Sequence, residues 1–163
     1  MKLFSSGLSS PILVFMLVLH GAFARPEPRV SFSDVEGGFT TDIGPSDHYI
    51  EVEGVPYDSF AINLSSEDYI LMHFNPRFDP SGNSVVRNSE CPGGWCAEEE
   101  SGGPKFPFAI GKHFKLGFLI KADRVEVDHD GKSFIDFKLR DARYKISKFE
   151  IRGNISVSSI LIY

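Results

Sequence analysis

His73-x-Asn75-Pro76-Arg77, followed by Asn88, Trp95 and Glu98, combines the groups needed to hold a hydroxyl-rich ligand such as a sugar. Imidazole, carboxamide, guanidinium and carboxylate supply directional donors and acceptors, and indole supplies a flat apolar plate. If 72–78 is a strand, its period of two puts His73, Asn75 and Arg77 on one face and Met72 and Phe74 on the other. Three polar groups then face outward over an apolar core. That pattern suits a binding surface on one side of a sandwich and does not suit a strand buried on both sides.

The segments that must carry these groups are short and β-like. No helix-length stretch repeats apolar residues every 3.6 positions. Apolar or alternating runs instead recur at 48–52, 60–64, 69–74, 84–88, 114–120, 124–128, 133–139, 148–152 and 156–162. Turn formers separate them, including Gly44-Pro45, Asp79-Pro80-Ser81-Gly82, Asp130-Gly131 and Gly153-Asn154. Many short strands with regular turns predict an all-β, antiparallel sandwich or barrel in one domain, 25–163. Val125-x-Val127 leading through Asp130-Gly131 to Phe134, Ile135 and Phe137 predicts a tight hairpin. His129 between Asp128 and Asp130 could be taken for a metal site. The turn reading is preferred, because no further ligand cluster accompanies it, and neither metal nor cofactor is expected.

The first residues set the expected compartment. Met1-Lys2 is a short basic start, 12–19 is an apolar run too short to span a bilayer, and Ala22-Phe23-Ala24 is a small-x-small cleavage pattern. Residues 1–24 read as a secretory signal peptide. A membrane anchor is the alternative, but no long apolar segment or basic flank follows. Losing Lys2 makes a chain of formal charge −5 slightly more acidic. Without a Lys/Arg block this argues against nucleic acid and anionic membrane as partners. Abundant phenylalanine and dispersed Gly and Pro indicate a folded β-rich core.

The only cysteines, Cys91 and Cys96, enclose Pro92-Gly93-Gly94-Trp95. In an oxidising compartment the simplest reading is an intrachain disulfide, since Pro-Gly-Gly can turn the chain tightly enough. It would hold Trp95 in place. An intermolecular bridge is the alternative.

Together His73-Phe74-Asn75-Pro76-Arg77-Phe78, Val85-Val86-Arg87-Asn88-Ser89, Trp95, Glu98 and Phe106-Pro107-Phe108-x-x-Gly111 resemble the galectin carbohydrate-recognition signature. Weaker resemblance covers nearly all of the chain beyond the leader. It implies a two-sheet jelly-roll sandwich that binds β-galactosides in a shallow groove, without enzymatic activity. By the same resemblance, His73, Asn75 and Arg77 meet the axial 4-hydroxyl of galactose. Asn88 bonds the 6-hydroxyl, Val86 lines the groove beside it, and Trp95 covers the apolar face of the ring. Glu98 accepts a hydroxyl while orienting Arg77.

One position departs from the family. Galectins usually place an arginine two residues after that glutamate, where this chain has Glu100. Three adjacent carboxylates, Glu98-Glu99-Glu100, repel one another, and Lys105 is the candidate substitute cation. The stretches 79–84 and 101–105 are also longer than in compact members. Two other readings follow: a protein-interaction module on the same fold that has given up sugar, and a glycosidase using Glu98 and Glu100. The sequons Asn63-Leu64-Ser65 and Asn154-Ile155-Ser156 are candidate N-glycosylation sites, Asn154 in an apparent turn and Asn63 in a strand. Partners are expected to be glycans on glycoproteins or glycolipids, and cross-linking them would require a homodimer.

Overall fold

The computed structural model describes residues 27–45, 48–98, 105–141 and 143–163. The expected leader, Glu99, Glu100 and most of the 101–105 stretch lie outside the described residues. Eleven strands are present among those described: β1 Val30–Glu36, β2 Phe39–Asp42, β3 Tyr49–Ser65, β4 Ile70–Arg77, β5 Ser84–Asn88, β6 Glu90–Cys91, β7 Gly94–Trp95, β8 Phe114–Ile120, β9 Arg124–His129, β10 Lys132–Lys138 and β11 Lys148–Ile162. Every pairing is antiparallel.

Two long strands, β3 and β11, run through both layers of a sandwich. Their first layer joins the second half of β3 to β4 and the first half of β11 to β2, with β5 beyond β4. In the second layer the first half of β3 pairs β8, the second half of β11 pairs β1, and β9 and β10 complete the sheet. The sequence divides each long strand in two, between the runs 48–52 and 60–64 and at Gly153-Asn154. Both breaks are corrected by the structure. Gly153 is a bulge at φ +105, with the register shifting between Gly153 and Ile155. A Cβ there would lie 2.7 Å from Phe60 Cα and from Ser59 O, so glycine lets the strands close while they bend. Pro56 sits opposite Ile155 beside this bulge, where a missing N–H is tolerated.

The layers meet through phenylalanine. Phe74 of β4 packs 5.6 Å from Phe118 of β8, and Phe60 of β3 stacks 5.3 Å from Phe114. Phe108, from the loop before β8, inserts among Phe60, Phe74, Phe114 and Phe134 and closes one end. Burying each such ring stabilises the fold by about 1.5–3 kcal/mol, so this cluster fixes which face of β4 turns inward. Met72 and Phe74 have no exposed surface. His73, Asn75 and Arg77 therefore point away from the core.

The hairpin from β9 to β10 turns at Asp130-Gly131, as expected. His129 pairs with Lys132, and φ is +51 at Asp130 and +72 at Gly131, the type I′ signature. His129 belongs to the aromatic cluster, 5.3 Å from Phe108. Among the described residues no group of three or more His, Cys, Asp or Glu is placed to hold a metal.

Candidate functional site

Strand register assembles the polar face. His73 lies opposite Asn88 on one side and Asn63 on the other, and Asn75 lies opposite Val86. Directly opposed residues share a face, so β3, β4 and β5 contribute to a single surface. Asn63 continues it to Glu150 of β11.

Each polar group on this surface is oriented by a neighbour. Glu150 can only accept, so Asn63 turns its amide to it, with Nδ2 donating to Oε2 at 2.7 Å. The Asn63 carbonyl then faces His73 and accepts from Nδ1 at 2.7 Å. This chain fixes the tautomer: the proton sits on Nδ1, and Nε2 keeps its lone pair. Burial, and after it the nearby Arg77 charge, holds the His73 pKa below its usual value, which keeps the ring neutral.

Asn75 donates to Phe60 O at 2.5 Å and accepts from Arg77 Nε at 2.7 Å. Arg77 also reaches forward, its Nη2 lying 3.0 Å from Glu98 Oε1. The guanidinium is thereby clamped between Asn75 and Glu98, with both ion-pair partners open to solvent. The cation beside Glu98 is Arg77, and Lys105 is exposed and has no part in that pair.

Trp95 forms the wall. It is 54% exposed, with its ring centroid 5.0 Å from that of His73 at a 53° tilt. Its support is the two-residue pairing of β6 and β7, closed by the intrachain disulfide Cys91–Cys96 with Cα atoms 5.3 Å apart. Glu90 ties this hairpin to the start of β4 by accepting from Ile70 N at 2.8 Å.

Two expected residues are more covered than the sequence suggests. Val86 has no exposed surface, although its place opposite Asn75 keeps it on the polar face. Asn88 is 2% exposed, and its Nδ2 donates to Cys96 O at 3.0 Å. Asn63 enters as an orienting residue that sequence reasoning treats only as a sequon; a carboxamide inside an otherwise apolar buried run was the available signal. Glu150 and Arg140, remote in sequence, carried none. The Asn63 amide is consumed by its neighbours and 2% exposed, whereas Asn154 is exposed at the bulge of β11, not in a turn.

The model of the galactoside-binding lectin family matches residues 33–162. Galectin-4 from Bos taurus is 36% identical over 107 residues, which cover 64% of this chain and 31% of that protein. This chain spans about a third of the length of such relatives. Among solved structures, Caenorhabditis elegans galectin LEC-6 superposes with a TM-score of 0.73 at 28% identity, over 82% of this chain and 95% of that one. Congerin II, solved with lactose and MES, gives 0.63 at 25% identity over 80% and 99%. The two-sheet fold, the ordered polar face and the family match agree, and this chain belongs to the galactoside-binding lectins, the galectins.

Proposed function

We propose that this protein is a secreted lectin that binds β-galactoside glycans on the face built by β3, β4 and β5, with Trp95 as its wall. Family membership makes it a non-enzymatic carbohydrate-binding domain, which sets aside the glycosidase reading of Glu98 and Glu100. The observation that carries the sugar assignment is the arrangement around the clamped Arg77 guanidinium. A neutral His73 offers an acceptor at Nε2, Arg77 offers donors beside it, and the exposed indole stands next to both. An axial hydroxyl can donate to the imidazole and accept from the guanidinium. The same axial geometry clears polar groups from one sugar face, which the indole can cover.

Few hydrogen bonds, each worth about 1 kcal/mol, and one stacked ring give a single-site affinity on the order of micromolar to millimolar. Useful avidity then comes from several sites, for which a homodimer is the simplest source. Secretion is supported by the leader pattern in 1–24 and by the disulfide, a bond that persists in oxidising compartments. An exposed Asn154 fits the same route.

The deciding experiment is calorimetric titration with lactose, with sucrose as control and Arg77→Ala alongside. Saturable lactose binding that the variant loses supports the reading. No binding at millimolar lactose would overturn it and favour a protein-interaction module. For secretion, N-terminal sequencing of protein from the culture medium is expected to start near Arg25; retention inside the cell would refute that part.

A further inference from the structure

We propose that Arg140, which follows β10 and is far from the signature residues in sequence, is a positioning residue for the sugar site. It acts on the ligand's 6-hydroxyl through Asn88. This inference rests on the galactoside reading above.

Arg140 leaves the edge strand across the buried Phe137 ring, with its guanidinium carbon 5.9 Å from the ring centroid. Its fork then divides. Nη1 donates to Asn88 Oδ1 at 2.8 Å, and Nη2 donates to Ala97 O at 2.6 Å. The first contact settles the orientation of the Asn88 amide. Oδ1 already accepts from Ser89 N at 2.8 Å, so with Arg140 both carbonyl lone pairs are filled by donors. Flipping the amide would set its NH2 against a guanidinium and a backbone N–H. Nδ2 is thus held on Cys96 O by one hydrogen, and its second hydrogen is the donor assigned to a hydroxyl.

The second contact pins the chain between Trp95 and Glu98. Ala97 O is one residue from the carboxylate that clamps Arg77 and two from the indole. One guanidinium therefore sets the Asn88 donor and spaces the wall from the floor. Lysine cannot do both, because an ammonium lacks the planar fork that reaches two separated carbonyls. This tie also acts on the Glu98 segment through its backbone, independently of any arginine two residues after Glu98.

The test compares lactose with lactose lacking the galactose 6-hydroxyl, in wild type, Arg140→Ala and Arg140→Lys. Wild type is expected to favour lactose by about tenfold, the worth of one good hydrogen bond. In the variants both ligands weaken through the released Ala97 segment, but lactose falls further by about that factor, so discrimination collapses. Equal losses for both ligands would reduce Arg140 to a fold-holding role and overturn the proposal. The second measurement needs no sugar: the Asn88 side-chain amide in 15N-resolved NMR spectra is expected to exchange with solvent faster in Arg140→Lys than in wild type. Unchanged exchange would overturn the positioning role even where Arg140→Ala fails to fold. Absence of lactose binding in wild type would sink the galactoside reading instead, and leave the amide measurement to decide this one.

Discussion

The floor and the wall of the site are built by different physics. The floor is part of a sheet, its residues placed by the register of β3, β4 and β5 and oriented by the relay from Glu150 through Asn63 to His73. The wall is Trp95 on a two-residue strand, held by a disulfide and a few tethers to neighbouring segments. The directional polar groups sit where strand pairing is long and repacking expensive. Apolar contact sits on a small, separately tied element. The floor should therefore account for specificity, and damage to the wall should weaken binding without changing which sugar is preferred.

The sharpest way to break this comparison is at the clamp. Arg77→Ala removes the charged donor while leaving the core face of β4 untouched, and hydrogen bonds to charged groups are worth about 1.5–3 kcal/mol each. Lactose affinity is expected to fall by about 100-fold, with little change in the unfolding midpoint. Calorimetry beside a urea titration checks both. A loss under threefold would mean that the floor does not carry recognition. Asn63→Ala comes next. It strips His73 Nδ1 and Glu150 of their shared partner, freeing the ring to change tautomer and leaving a polar group unmet. An affinity loss of about tenfold, with about 1–3 kcal/mol of lost stability, is expected. Unchanged affinity despite lower stability would show that the relay serves the fold alone.

The legibility of these parts follows from the range of the interactions that make them. Strand β4 was readable because alternation within one segment decides its two faces, and β5 and β8 lie where the local pattern puts them. The turn at Asp130-Gly131 was readable because turn chemistry is local. The length of β3 and β11 was not, because the gap between the runs 48–52 and 60–64 and the pair Gly153-Asn154 look like breaks until the long antiparallel pairing between the two strands is formed. Strand β1 was missed for a related reason: Asp34 at φ +54 interrupts the alternation that begins at Val30 and Phe32. In the site, residue types were legible and orientations were not. Nothing near His73 in sequence names Asn63 as its partner, and nothing near Asn88 names Arg140. The cover over Val86 is likewise a property of the assembled sheet.

The disulfide tests the wall. Closing so short a loop is worth about 2 kcal/mol in the chain-entropy model, comparable to one buried phenylalanine. The Cys91→Ser, Cys96→Ser double variant keeps Cys96 N on Ser89 O and Glu90 on Ile70 N, so the hairpin retains two of its tethers. Its expected cost is about 2 kcal/mol of stability and a three- to fivefold weaker lactose affinity, with the ratio of lactose to sucrose binding preserved. Loss of that selectivity would place specificity in the wall and reverse the comparison.

The smallest effect, and the one that separates floor from wall without a mutation, is pH dependence. The proposed contact requires the neutral ring, because protonation would turn the Nε2 acceptor into a donor facing a hydroxyl hydrogen. Burial and Arg77 hold the folded pKa of His73 below 6.5, so the imidazole is neutral across the neutral range. Affinity is therefore expected to be flat from pH 8 to 7 and to fall only as pH drops below 6.5 toward the lowered value. Stability follows the same sign. The folded state binds the His73 proton less readily than the unfolded chain, so this contribution is complete above pH 6.5 and is lost as pH falls through the folded pKa. The disulfide-free variant, altered only in its wall, should show the same pH profile at lower affinity, whereas Asn63→Ala should move the midpoint, since the Asn63 carbonyl accepts the His73 Nδ1 proton. Lactose titrations at half-unit steps from pH 8 to 5 measure all three curves. A midpoint unmoved in Asn63→Ala, or an affinity constant down to pH 5, would remove His73 from the recognition step and leave Arg77 and Trp95 to carry it.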